Sequence, residues 1–127
     1  EQPHVLVVDD NEDLLQTIRS FLELEEFAVS IVSDGLQAVE IVSSKQARFD
    51  LIILDLVMPE ISGQEAATRI RQHNPEVPIL FISGYIPERD VAAGMGREHL
   101  LRKPFTRQQL VTAVNNILGR RNRLQAD

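Results

Sequence analysis

The chain is 127 residues long, with 43% hydrophobic and 25% charged residues and a formal net charge of −6, which defines one globular domain rather than a disordered segment. It has no cysteine, which excludes a disulfide framework, a thiolate zinc site and a cysteine nucleophile, and suits a reducing, cytoplasmic setting. The acidic balance argues against direct nucleic-acid binding, which needs a basic surface, and no apolar run approaches the ~20 residues that cross a bilayer. Val5-Leu6-Val7-Val8 reads as a strand covered on both faces. Asp10 or Asn11 then caps a helix whose apolar stripe is Leu14, Ile18, Phe21 and Leu22. Phe27 to Val32 is a less apolar strand, followed after Asp34 by a helix burying Ala38, Val39 and Val42.

Leu51-Ile52-Ile53-Leu54 is the third strand, and a helix around 63–73 has Ala66, Ala67 and Ile70 to bury before Pro75 stops it. Ile79-Leu80-Phe81-Ile82 is the fourth strand and His99-Leu100-Leu101 a short fifth. Between them Pro87, Gly94 and Gly96 leave room only for a reduced helix. In the last helix Thr106 and Gln109 form a capping box, Phe105 and Leu110 a hydrophobic staple, and Gly119 a left-handed stop. Its stripe is Leu110, Ala113, Val114, Ile117 and Leu118. The alternation predicts a single α/β domain spanning 1–127, a doubly wound five-stranded parallel sheet with helices on both faces. Its core covers about 4–119, and 120–127 reads as a tail or linker. The chain does not begin with Met and opens on no signal-peptide pattern, which fits a piece of a longer protein.

In such a sheet ligands bind beyond the carboxyl ends of the strands. There stand Asp9 and Asp10 after the first strand, Asp55 after the third, Ser83 after the fourth and Lys103 after the fifth. Each has an ordinary structural reading: strand end, helix cap, turn residue, loop hydroxyl, solvated charge. Together they form one rim of three carboxylates, a hydroxyl and an ammonium. Crowded carboxylates resist joint ionisation, and a hard divalent cation, Mg²⁺ or Mn²⁺, resolves that conflict. Mg²⁺ borrows further ligands from phosphoryl groups, so the set suits phosphoryl transfer with an aspartate as nucleophile. His4, His73 and His99 are scattered and read as structural or solvated.

Over about residues 4–119 the sequence resembles a response regulator receiver domain. The motifs are Asp9-Asp10, Asp55-Leu56-Val57-Met58-Pro59 with Gly63 following, Ser83-Gly84, and Lys103-Pro104-Phe105. The resemblance implies a flavodoxin-like sheet of order 2-1-3-4-5 in a two-component phosphorelay. Asp55 would be the phosphoacceptor, taking its phosphoryl group from a histidine kinase or a histidine phosphotransfer domain. Asp10 and Asp55 would ligate Mg²⁺ directly, Asp9 through water, and Val57 by its backbone carbonyl. Ser83 and Lys103 would contact phosphoryl oxygens, and the Lys103–Pro104 peptide would be cis. A homodimer is compatible with the family. The domain would catalyse only its own phosphorylation and dephosphorylation.

The sequence departs from the family's pattern at Leu100, which stands where an aromatic switch residue is usual. Tyr85, two residues past Ser83, is expected to cover the site mouth, and Val57 and Tyr85 to shield the acyl phosphate from water. Ser83-Gly84-Tyr85 also resembles receivers fused to sensor histidine kinases, so the parent chain could be a hybrid kinase. Two other readings compete. A Mg²⁺-dependent aspartyl phosphatase of the haloacid dehalogenase type would need D-x-D after its first strand, whereas Asp9 and Asp10 are adjacent. An unphosphorylated interaction module would not need the full set of Asp55, Ser83 and Lys103.

Overall fold

A computed structural model describes residues 2–84 and 99–120. Five strands, β1 (His4–Val8), β2 (Ala28–Val32), β3 (Leu51–Asp55), β4 (Ile79–Ser83) and β5 (His99–Arg102), form one sheet of order β2-β1-β3-β4-β5. All its pairings are parallel. Four helices are described: α1 (Glu12–Glu23), α2 (Gly35–Ser43), α3 (Gly63–His73) and α4 (Arg107–Leu118). The reduced helix expected between Ser83 and Lys103, and Tyr85 with it, lie outside the described residues.

The continuously apolar strands are explained by two cores, one on each face of the sheet. Leu6, Val8, Ile52, Leu54, Ile79 and Phe81 point toward Ala38, Val42, Ala66 and Ile70 of α2 and α3. Val5, Val7, Leu51, Ile53, Leu80 and Ile82 point the other way, toward Leu15, Ile18 and Leu22 of α1 and Leu110 and Val114 of α4. Successive side chains alternate faces, so a strand covered twice has no polar position to spare. β2 and β5 are the sheet edges, and none of their residues is fully buried.

The helix ends follow the local chemistry of the sequence. Asn11, Asp34, Ser62 and Thr106 each accept a hydrogen bond from a first-turn N–H group. Thr106 and Gln109 make both halves of a capping box, and Gly119 ends α4 at φ 70°. In α1 the cap is therefore Asn11, leaving the exposed Asp10 available for other work.

Two stripes differ from expectation by one position. The sheet-facing residues of α1 are Leu15, Ile18 and Leu22, while Leu14 and Phe21 lie half-buried on the flank. In α4 the buried set is Leu110, Val111, Val114 and Asn115, with Ala113, Ile117 and Leu118 only partly covered. Apolarity marks a wide stripe, and packing decides which edge of it meets the sheet. In α2, likewise, Ala38 and Val42 are buried and Val39 is partly exposed. Arg120, first residue of the expected tail, is packed onto the body, its guanidinium 4.5 Å from the Phe27 ring centre.

Candidate functional site

The sheet order reverses between β1 and β3, and that switch point is where such folds place ligands. Strand register then sets the site. Val8 pairs with Leu54, so Asp9 and Asp55, the next residues along, stand side by side. Asp55 pairs with Ile82, one residue before Ser83, and Ser83 pairs with Arg102, one residue before Lys103. A shift of one residue in any strand would turn these side chains to the opposite face.

Asp9 is fully buried and Asp55 is 4% exposed; Asp10, beside them, faces solvent. One carboxylate oxygen from each of the three lies within 4.8 Å of the others. Lys103 Nζ donates to Asp9 Oδ2 at 2.8 Å and to Asp55 Oδ2 at 3.2 Å. The remaining oxygens face backbone donors: Asn11 N–H to Asp9 Oδ1 at 2.9 Å and Val57 N–H to Asp55 Oδ1 at 3.2 Å. Burial, and then the charge of Asp9, hold the Asp55 carboxyl above its usual range despite Lys103. Burial works against the Lys103 ammonium, but its bond to Asp9 and the two carboxylate charges outweigh this and hold its pKa above the usual value. One ammonium offsets three carboxylates only in part, and the donors are all hard oxygens. The cluster therefore suits a hard divalent cation.

The surrounding backbone is tightly fitted. Gly63 N–H donates to Leu56 O at 2.9 Å, and a Cβ at residue 63 would overlap the Asp55 carbonyl oxygen. Glycine is thus required for α3 to start against the Asp55–Leu56 peptide. Lys103 N–H donates to Ser83 O at 2.8 Å, tying the two strand ends together, and the Lys103–Pro104 peptide is cis. Ser83 is buried at the end of β4. Val57 is 68% exposed on the loop after β3. Leu100 pairs with Phe81 and packs against the α2–α3 core.

The structure brings Asp9, Asp10, Asp55 and Lys103 into one cluster, with Ser83 on the same sheet edge. The sequence points Lys103 at a phosphoryl oxygen but carries no local sign of its bond to Asp9, because that pairing spans 94 positions and depends on register. Sequence reasoning also misses a cleft of about 470 Å³. It opens beside Lys103 between Leu14 and Phe21 of α1 and the Pro104–Phe105 connector. Its signal is present in the two stripe residues, Leu14 and Phe21, that the core covers only in part.

A doubly wound sheet with three clustered aspartates and a lysine at its switch point suits a phosphoacceptor type of signalling module. Residues 5–115 match the family model described as response regulator receiver domain, and the chain belongs to that family. Response regulator SaeR of Staphylococcus epidermidis is 30% identical over 119 residues, covering 92% of this chain and 51% of the relative. The chain thus spans about half the length of the curated relatives it matches. Among solved structures, a response regulator receiver protein from Sinorhizobium medicae superposes with a TM-score of 0.84 at 33% identity, covering 94% of this chain and 96% of that one. Vibrio cholerae chemotaxis protein CheY4 gives 0.83 at 27% identity, covering 93% and 100%. The domain is therefore a receiver of two-component signalling rather than an enzyme acting on a separate metabolite, and its acidic cluster is compatible with a phosphoacceptor site. No described helix is long and apolar enough to cross a membrane.

Proposed function

We propose that the domain takes a phosphoryl group onto Asp55 from the phosphohistidine of a histidine kinase or a histidine phosphotransfer domain, and that this modification switches its surface. The observation that carries the reading is Lys103 Nζ, held against both Asp9 and Asp55 within a three-carboxylate cluster. An Asp55 carboxylate oxygen attacks phosphorus in line. The O–P bond forms as the P–N bond to imidazole breaks, and the departing nitrogen takes a proton from solvent. The transition state spreads charge over three phosphoryl oxygens, so catalysis is mainly positioning and electrostatics. Lys103 serves one of those oxygens and the Ser83 hydroxyl another. Val57 N–H fixes the orientation of the attacking carboxylate.

Asp10 and Asp55 would hold Mg²⁺, with Asp9 reaching it through water and Val57 offering its carbonyl; Mn²⁺ would meet the same donors. When bound, the ion supplies the positive charge that lets the three carboxylates ionise together and offsets the phosphoryl charge. The cysteine-free composition supports a cytoplasmic setting. Ser83-Gly84-Tyr85 supports a hybrid kinase as the parent chain.

Incubation with acetyl phosphate and Mg²⁺, read by intact mass, tests the reading. One phosphoryl adduct is expected on the wild type and none on Asp55→Asn. An unmodified wild type, or an adduct that persists in the variant, would refute it.

A further inference from the structure

Glu25 is a carboxylate only 5% exposed, in the turn between α1 and β2. Its Oε2 accepts from Arg107 Nη2 at 2.8 Å, across 82 positions of sequence. Arg107 is the first residue of α4, where a cation opposes the helix dipole. A buried acid and a cation at the wrong end of a helix are each unfavourable alone, and here they answer one another. The other end of α4 meets the same turn, since Arg120 lies over the ring of Phe27. The segment Glu25–Phe27 therefore meets both the residue that opens α4 and the one just past its Gly119 stop.

This contact reaches the site. α4 starts four residues after Lys103, and the capping box at its start is internal to the helix. Lys103 is itself tied to the end of β4 through Ser83 O, and the Pro104–Phe105 connector leads from it into α4, so the placement of α4 along α1 bears on Lys103 through that connector. The pairing of Glu25 with Arg107 is also half made. Glu25 Oε1 and Arg107 Nε are both buried and have no hydrogen-bond partner among the described residues. Nε and Nη2 form the guanidinium edge that meets two carboxylate oxygens side by side. A bond from Arg107 Nε–H to Glu25 Oε1 would complete that pairing.

We propose that Glu25 is a positioning residue for Lys103, acting through Arg107, and that phosphoryl loading draws α4 to the place where the second bond closes. The inference rests on the reading of Asp55 as phosphoacceptor, because an acyl phosphate there gives Lys103 a new and more distant acceptor. Beryllofluoride, a phosphoryl mimic, is titrated with Mg²⁺ against wild type and Glu25→Gln, with Mg²⁺ affinity alone as control. The variant binds beryllofluoride about tenfold more weakly, as for residues acting through a packed network, while Mg²⁺ affinity is unchanged. In the wild type the Arg107 Nε–H signal becomes protected from exchange on loading. Arg107→Lys keeps the charge, removes the fork and shows the same loss, which serves if Glu25→Gln does not fold. Wild-type beryllofluoride affinity in both variants, or an Arg107 Nε–H signal that loading leaves unmoved, overturns the assignment. A wild type that takes up no beryllofluoride overturns the phosphoacceptor reading, and the inference with it.

Discussion

Asp55 is held where its charge is unfavourable, buried beside a second buried carboxylate and only partly offset by Lys103. Its raised pKa has a thermodynamic consequence with a definite sign. The folded chain keeps the Asp55 proton at a pH where the unfolded chain has lost it. Stability from this residue is thus greatest below the ordinary carboxylate value of 3.8 and is lost as pH rises through the raised folded value. Lys103 has the complementary sign, since its stabilising charge persists through neutral pH and is lost only as pH rises through a value above 10.5. Without divalent ions at neutral pH, Asp55→Asn is expected to unfold at a higher temperature than the wild type, because Lys103 retains Asp9 as partner. The gap should close toward about pH 4, and Mg²⁺ should narrow it by stabilising the wild type more than the variant, which lacks one of the three carboxylate charges. Thermal melts across pH decide this, and a variant less stable at every pH would contradict it.

At the scale of elements, α4 shows most clearly what local chemistry specifies. Thr106 and Gln109 form the capping box that their spacing predicts, and Gly119 takes the left-handed stop. Thr106→Ala should destabilise the domain by about 1 kcal/mol through loss of the cap. In urea this reads as a lower midpoint with an unchanged slope; an unmoved midpoint would show that tertiary packing alone fixes the start of the helix. Caps, strand runs and the strand-end rule involve residues close in sequence, and so the sheet, its helices and the rim of Asp9, Asp55, Ser83 and Lys103 are legible in the sequence itself. Pairings across long separations are not. The bond of Lys103 to Asp9 follows from register, and that of Arg107 to Glu25 from the way α4 lies on α1. Nor does an apolar stripe state its own orientation, which is why periodicity points to Leu14 as core while Leu15 occupies that place.

At the scale of the whole molecule, the two faces of the sheet serve different ends. On one, α2 packs against α3, with Gly35 pressed so closely to Ile61 and Ala66 that a Cβ would crowd them. On the other, α1 and the Pro104–Phe105 connector leave a cleft of about 470 Å³, flanked by Leu14 and Phe21 and ending at Lys103. If Asp55 takes its phosphoryl group from a phosphohistidine as proposed, an apolar cleft that opens at Lys103 suits a helix of the donor, whose phosphorus has to come within bonding reach of Asp55. Leu14 sits at the third position of α1 and is only half-buried, so glutamine, a good helix former, is tolerated there. Leu14→Gln should therefore lower the rate of phosphoryl transfer from a histidine kinase or phosphotransfer domain by about tenfold, the effect of removing one apolar anchor from an interface. Uptake from acetyl phosphate, which needs no such surface, should stay at the wild-type rate. Equal losses with both donors would mean that the substitution disturbs the aspartate cluster itself, and equal rates with both would move the docking surface elsewhere on the molecule.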